Sequence, residues 1–136
     1  MVKRQRFFFI VALCVALASC SVTRFFKGGL HRELNESLTI VGLISDPERF
    51  LDKEIVFSVR YYKKGKLPCP LGENYVNFII ADRVSYIMLD KVWIKKEESG
   101  VLDSFQEMDT IVMKARVFKV DKEKDPNLLA LKIIPE

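Results

Sequence analysis

Ser45-Asp46-Pro47-Glu48-Arg49-Phe50-Leu51-Asp52-Lys53-Glu54-Ile55-Val56-Phe57-Ser58-Val59-Arg60-Tyr61-Tyr62 changes its periodicity half-way along. The first part reads as a helix start: Ser45 can cap, Glu48 three residues on completes a capping box, and Pro47 suits the first turn. The helix must be brief, because a different pattern follows Asp52-Lys53. From Glu54 to Tyr62 the side chains alternate, with Ile55, Phe57, Val59 and Tyr61 on one face and Val56, Ser58, Arg60 and Tyr62 on the other. A short helix that delivers a half-buried strand is the opening of a mostly β domain.

The chain after Tyr62 continues in that mode. Lys63 to Asn74 contains Gly65, Pro68, Pro70 and Gly72 and reads as a loop, since such residues cannot continue a ladder. Tyr75 to Ala81 is a second strand with Val76, Phe78 and Ile80 on one face, and Asp82-Arg83 makes the turn. Ser85 to Lys95 is a third strand. Tyr86, Met88 and Asp90 fall in phase, so a bulge or bend is expected near Asp90-Lys91. Lys96 to Glu107 holds a weak helix on Val101, Leu102 and Phe105, weakened further by Gly100. Asp109 to Val120 is a fourth strand with Ile111, Met113, Ala115 and Val117 inward and Lys114 and Arg116 outward. Asp121 to Pro126 is a charged turn. Leu128 to Ile134 is a fifth strand with Leu129, Leu131 and Ile133 in phase, ended by Pro135. Before this series, Leu38 to Ile44 is a short apolar run, either a strand or the end of a helix starting near Glu33.

Five strands with a helix between the third and fourth is the element order of an OB-fold, a small Greek-key barrel. Two segments strengthen the likeness. Ser45 to Ile55 resembles the NPEKYxGKxV lead-in to the first strand of small bacterial OB-fold proteins, with Asp52 where those often have Gly. Val112-Met113-Lys114-Ala115-Arg116-Val117 resembles their VxVxGxV strand, again without the glycine. The resemblance covers residues 38–135 and implies a mostly β, five-stranded Greek-key barrel with one or two short helices. Another small β-barrel of the SH3 type is the alternative.

The N-terminus sets the expected address. Lys3, Arg4 and Arg6 form a basic region, Phe7 to Ala16 is unbroken apolar, and small residues lead to Cys20. This is the layout of a secretory signal, short for a membrane span. Leu17-Ala18-Ser19-Cys20 resembles the lipobox of bacterial lipoproteins. The resemblance implies cleavage before Cys20, a diacylglyceryl thioether on its sulfur and acylation, as with palmitate, of the new amino group. Two or three chains anchor stably where one would be marginal. The alternatives are a plain cleaved signal or an N-terminal anchor helix; Cys14 would leave with the signal. Ser21, not being Asp, favours the outer membrane facing the periplasm in a Gram-negative envelope. The expected organisation is therefore a signal peptide at 1–19, a lipidated tether at 20–35 and the barrel at 36–136. Within the tether Phe25-Phe26, between Arg24 and Lys27, suits a membrane interface or packs on the domain. Gly28-Gly29 should break regular structure there, and His31 reads as a solvated linker residue.

Charge and cysteine usage narrow the function. The chain carries 22 Lys+Arg against 18 Asp+Glu; without Lys3, Arg4 and Arg6 the balance is 19 to 18. A nearly neutral exported domain lacks the excess of cations that nucleic-acid binding needs. Cys69 is the one cysteine after Cys20, so no intramolecular disulfide is expected once Cys20 is lipidated. Set between Pro68 and Pro70, Cys69 reads as a thiol tucked against the barrel, or else as a reactive or intermolecular one.

No catalytic constellation emerges. The single histidine lies in the tether, so neither Ser–His nor Cys–His chemistry is assembled. Glu97-Glu98 point apart and read as solvated charges. Asp121 to Asp125 places acids at alternate positions, but the interleaved lysines and the missing turn glycine argue for a plain turn over a calcium loop. No cofactor and no metal are implied. Trp93 could serve as a ligand platform, though a lone Trp in a half-buried strand is more often core.

The candidate binding residues are Arg60, Tyr62, Lys63, Lys64, Lys66 and Tyr75, around the loop between the first two strands. In OB-folds that loop borders the binding face. Lysines there suit an anionic partner, and Tyr61, Tyr62 and Tyr75 could stack on bases or sugars; the alternative is a loop kept soluble by its lysines. The sequence therefore implies a non-enzymatic, membrane-anchored envelope lipoprotein whose barrel binds another envelope component, expected to be a protein. Oligosaccharide or oligonucleotide binding on the same face is the alternative, with nucleic acid disfavoured.

Overall fold

The computed structural model describes residues 29–136, so the readings placed on Cys14, Cys20 and Phe25-Phe26 lie outside the described residues. The chain divides into two units, Met1–Glu33 and Leu34–Glu136. In the first, residues 29–33 are helical and His31 is exposed. Gly29 is therefore part of regular structure, not a break in it; Leu30, Arg32 and Glu33 are all good helix formers. Among the described residues no helix is long and apolar enough to cross a membrane.

The second unit is a closed barrel in the order β1-β2-β3-β5-β4. Its strands are β1 (Glu54–Lys64), β2 (Tyr75–Ala81), β3 (Met88–Lys95), β4 (Thr110–Phe118) and β5 (Asn127–Pro135). β3 and β5 pair in parallel, whereas the β1–β2, β1–β4, β2–β3 and β4–β5 pairs are antiparallel. This is the five-stranded Greek-key topology of an OB-fold.

The inward phase of the sequence fills the barrel. Phe57, Val59, Phe78, Ile80, Ile111, Met113, Ala115 and Val117 are fully buried in one apolar cluster with Ile55 and Tyr61. The bulge expected near Asp90-Lys91 is there: Phe78 faces Val92 and Ile80 faces Leu89, so two residues of β3 oppose Ile79 alone. In β5 the expected phase fails. Leu128 and Ala130 are buried, whereas Leu129 and Leu131 are only half-buried. Lys114 faces Lys132 and Ala115 faces Ala130, leaving Leu131 as the extra residue of a bulge that returns Ile133 to the interior. One inserted residue reverses the face of every side chain beyond it.

The helices differ from the expectation in kind and position. Leu38 to Ile44 becomes the helix α1 (Ile40–Ser45), with Thr39 as its N-cap accepting from the Gly42 N–H. Ser45 is thus the last residue of a helix and not the cap of the next one, and its hydroxyl donates back to the Val41 carbonyl. Pro47–Phe50 is a single 3-10 turn that no side chain caps. Lys96–Ser104 is also 3-10, not α. Within it the Ser99 and Ser104 hydroxyls donate to carbonyls three residues back, a local bond that competes with α-helical pairing. Leu102 from this segment, with Leu38, Ile40 and Leu43 from around α1, joins the barrel cluster.

Asp52, the position at which the resembled lead-in often has glycine, adopts φ +58°. Its N–H donates to the Val117 carbonyl at 2.8 Å, and Val117 N–H donates to Lys53 O at 3.1 Å. The left-handed residue therefore turns the lead-in alongside β4 so that β1 can begin. Asp tolerates this region better than most residues but lacks the freedom of glycine. Replacing it, Asp52→Gly, should raise stability by up to about 1 kcal/mol, a gain of roughly 4–8 °C in melting temperature for a domain of this size; calorimetry checks it.

Candidate functional site: the loop between the first two strands and the face it covers

β1 and β2 meet at the 65–74 loop, and the outer face of β2 and β3 lies beside it. Asn77 faces Trp93 across the β2–β3 ladder. Both are buried, at 4% and 2% exposure respectively. Asn77 Nδ2 donates to the carbonyls of Asp90 and Val92, at 2.7 and 2.9 Å. Its Oδ1 accepts from the Leu67 N–H at 3.2 Å, while the backbone N–H of Gly65 donates to Asn77 O. Trp93 Nε1 in turn donates to the Leu67 carbonyl at 3.2 Å. The loop thus folds back over the face and is latched by one asparagine and one indole. A side chain on Gly65 would overlap Asn77 Oδ1, so the close approach requires glycine. Trp93 is accordingly core-like, and its other ring contact is Phe118 at 6.2 Å between centroids.

The six residues expected at this site do not form one cluster. Tyr62 is the bulged residue of β1, between the Tyr61–Ile80 and Lys63–Ile79 pairs. It carries the Lys63 ammonium 5.2 Å above its ring. Lys64 pairs with Phe78 in register, and its ammonium meets Asp103 of the 3-10 segment at 2.6 Å. That hydrogen bond holds the Lys64 pKa above the usual lysine value. The Tyr61 hydroxyl is also pushed up, by burial, with Lys64 partly opposing. Lys66 is exposed on the loop, and Tyr75 is half-buried opposite Lys95. Arg60 belongs elsewhere. It lies four residues back along β1, about 13 Å, where Nη1 donates to Met108 O and Nε to Arg83 O.

Sequence reasoning missed the latch and one cavity. Asn77 sits among apolar strand residues, and a buried Asn in a strand was the available signal, since such a residue needs partners. An open cavity of about 520 Å³ is lined by Asn74, Tyr75, Lys95, Lys96 and Glu97. Cys69 is half-buried within the loop and its Sγ accepts from the Leu71 N–H. Leu67 and Leu71 stand exposed on the loop's outer side. In the 119–126 turn between β4 and β5, Glu123 bonds Asn127 and Lys91. Among the described residues no group of three or more potential metal ligands comes together.

No protein family matches the sequence, and no curated protein does. Solved structures resemble it in fold. The chain is similar to a protein described as an aspartyl-tRNA synthetase from Leishmania major Friedlin, with 18% identity and a TM-score of 0.51, over 70% of this chain and 19% of that one. It is also similar to the OBody AM3L09 bound to hen egg-white lysozyme, with 11% identity and a TM-score of 0.53, over 74% of this chain and 94% of the other. The likeness to a chain of the S. pombe Stn1-Ten1 complex is weaker, with a TM-score of 0.44 at 10% identity over 61% and 57% of the two chains. The chain spans 19% of the synthetase, and at these identities the likeness concerns the fold alone.

Two outcomes test the site's construction. Asn77→Ala leaves the Leu67 N–H and the Asp90 and Val92 carbonyls short of a partner, so it should cost about 2–4 kcal/mol and release the loop. Trp93 is the only tryptophan, so the release should read as a red shift of its emission. The Glu123 pKa lies below its ordinary 4.5 because Asn127 and then Lys91 donate to the carboxylate. A depressed carboxylate pKa contributes stability at higher pH and loses it as pH falls through the folded-state value. The Glu123 carboxyl resonance should therefore titrate below that of a free glutamate, with the 119–126 turn loosening in the same acidic window.

Proposed function

We propose that this chain is a lipid-anchored envelope protein of bacteria whose barrel is a non-catalytic docking module for another protein. Cys20 is the lipidated residue, and the outer membrane facing the periplasm is the address where the envelope is Gram-negative. The observation that carries the docking half of this reading is the latched 65–74 loop. An OB-type ligand face works by offering aromatic platforms in a basic groove. Here Trp93 of that face is covered by the chain itself. What is left outside is a crest with exposed Lys63 and Lys66 beside exposed Leu67 and Leu71. Mixed apolar and cationic side chains on a loop held by buried hydrogen bonds suit a protein surface with acidic groups, where preorganisation lowers the entropy lost on binding. Lys64 is committed to Asp103 and acts on the loop's base, not on the partner.

Oligosaccharide or oligonucleotide binding is less well supported. It would draw on Tyr75, which lines an open cavity and is half-buried. It would also show a steep salt dependence.

Two measurements test the reading. Cys20→Ser should abolish incorporation of labelled palmitate and release the protein from the membrane fraction; retention of both would remove the lipoprotein half. A photoreactive amino acid in place of Lys66 should give a discrete protein adduct in cells, while the same group in place of Lys122 gives none. Absence of any adduct at position 66 would end the docking role of this loop.

A further inference from the structure

The turn between β2 and β3 is organised by a buried carboxylate. Asp82 is buried at 3% exposure. Its carboxylate accepts from the Arg83 N–H, the Ser85 hydroxyl and the Ile40 N–H, and its own N–H closes the turn on Ile87 O at 2.8 Å. This fixes a rigid six-residue turn where the sequence pattern placed a strand from Ser85. What the turn displays is apolar: Val84 is 82% exposed, Tyr86 56%, Ile87 45% and Met88 48%. Tyr86 is held at φ +59°, a region that is uncommon for an aromatic residue and costs energy. Arg60 lies under its ring at 5.5 Å and donates from Nε to the Arg83 carbonyl, while the Arg83 side chain is half-exposed and faces Glu136. Strain and exposed hydrophobes are thus combined in one ordered segment, with the Arg60 guanidinium packed against the Tyr86 ring.

We infer that the tip formed by Val84, Tyr86, Ile87 and Met88 inserts into the surface of the lipid bilayer. This rests on the lipid-anchor reading above. With residues 29–33 helical, the chain from Cys20 to Leu34 can reach at most about 40 Å, and a domain of about 100 residues has a radius of gyration near 13 Å. Any face of the domain can therefore reach the bilayer that holds the acyl chains, and surface chemistry selects which face does. Near where the chain enters the domain, the Ile40 N–H donates to the Asp82 carboxylate at 3.5 Å, which ties the first helix of the domain to the base of the turn. A tip of aliphatic side chains with one tyrosine and the half-exposed Arg83 fits the boundary between acyl chains and head groups: apolar atoms enter, the phenol stays at the interface and the Arg83 guanidinium reaches phosphates. Tethering raises the local concentration of that surface, so a small apolar tip suffices.

The test uses the full chain purified from cells, its acylation read by mass, and reconstituted into vesicles containing lipids brominated along their acyl chains. Tyr86→Trp should lose fluorescence to the bromines, and Lys122→Trp should not. Wild-type protein, with Trp93 alone, gives the background and reports that the fold is intact. Absence of quenching in Y86W overturns the inference, as does equal quenching in K122W, and as does a protein adduct in cells from a photoreactive group at position 86 without quenching on vesicles. A chain found unacylated by mass removes the anchor reading separately, because quenching at position 86 is read on its own.

Discussion

β1 has to hydrogen-bond to two different neighbours in succession, and the rest of the barrel is arranged around that demand. Residues Glu54 to Arg60 pair with β4 and residues Arg60 to Lys64 pair with β2. One strand of eleven residues thus belongs to both sides of a sheet that closes on itself. A strand can do this only if it bends and twists, because the two neighbours diverge at the barrel rim. Three ladders carry irregularities: at Tyr62 in β1, at Asp90-Lys91 in β3 and at Leu131 in β5. Ala115 and Ala130 face each other beside the last of these. Both are buried in the barrel.

This geometry explains which parts of the fold could be read in the sequence. The alternation of Ile55, Phe57, Val59 and Tyr61, and that of Ile111, Met113, Ala115 and Val117, is a local signal and survives folding unchanged. The bulge at Asp90-Lys91 was legible because a charged residue fell in an apolar phase. The one at Leu131 was not, because leucine is acceptable on either face and the sequence carries no mark of the inserted residue. Likewise Ser45 and Glu48 have the spacing of a capping box, but Thr39 caps an earlier helix that ends at Ser45 and leaves no residue free for a second start. Two adjacent helix signals compete for the same few residues, and packing of Ile40 and Leu43 in the barrel cluster decides between them.

The candidate site was legible in its place and not in its parts. Glycine and proline marked the loop, but the lysines placed its start too early: Lys63 and Lys64 belong to β1 and the loop begins at Gly65, while Arg60 and Lys64 are drawn away by partners far along the chain, Met108 O and Asp103. Long cations are flexible enough that sequence proximity says little about where their charge ends up. The latch is a register effect. Asn77 can reach Asp90 O, Val92 O and the Leu67 N–H only because β2 and β3 pair with Asn77 opposite Trp93. Nothing local to Asn77 specifies that pairing.

The two features that distinguish this barrel lie at the two ends of one strand. β2 begins at Tyr75, where the latched loop returns, and ends at Ala81, where the strained apolar turn starts. Seven residues of strand set them apart by at most about 23 Å. On the proposed seating of the turn at a lipid surface, β2 would carry the loop away from the bilayer and present Lys66, Leu67 and Leu71 on the opposite side. Rigidity at both ends is needed for this to work, since a floppy turn would not orient the barrel and a floppy loop would not hold a surface. Asp82 supplies it at one end and Asn77 at the other, each a buried polar side chain whose bonds go mainly to backbone. Such side chains are costly to remove once their partners are buried, although apolar groups of the same shape in place of both partners can serve stability as well. Their presence at these two points is better accounted for by the orientation they impose than by the energy they add.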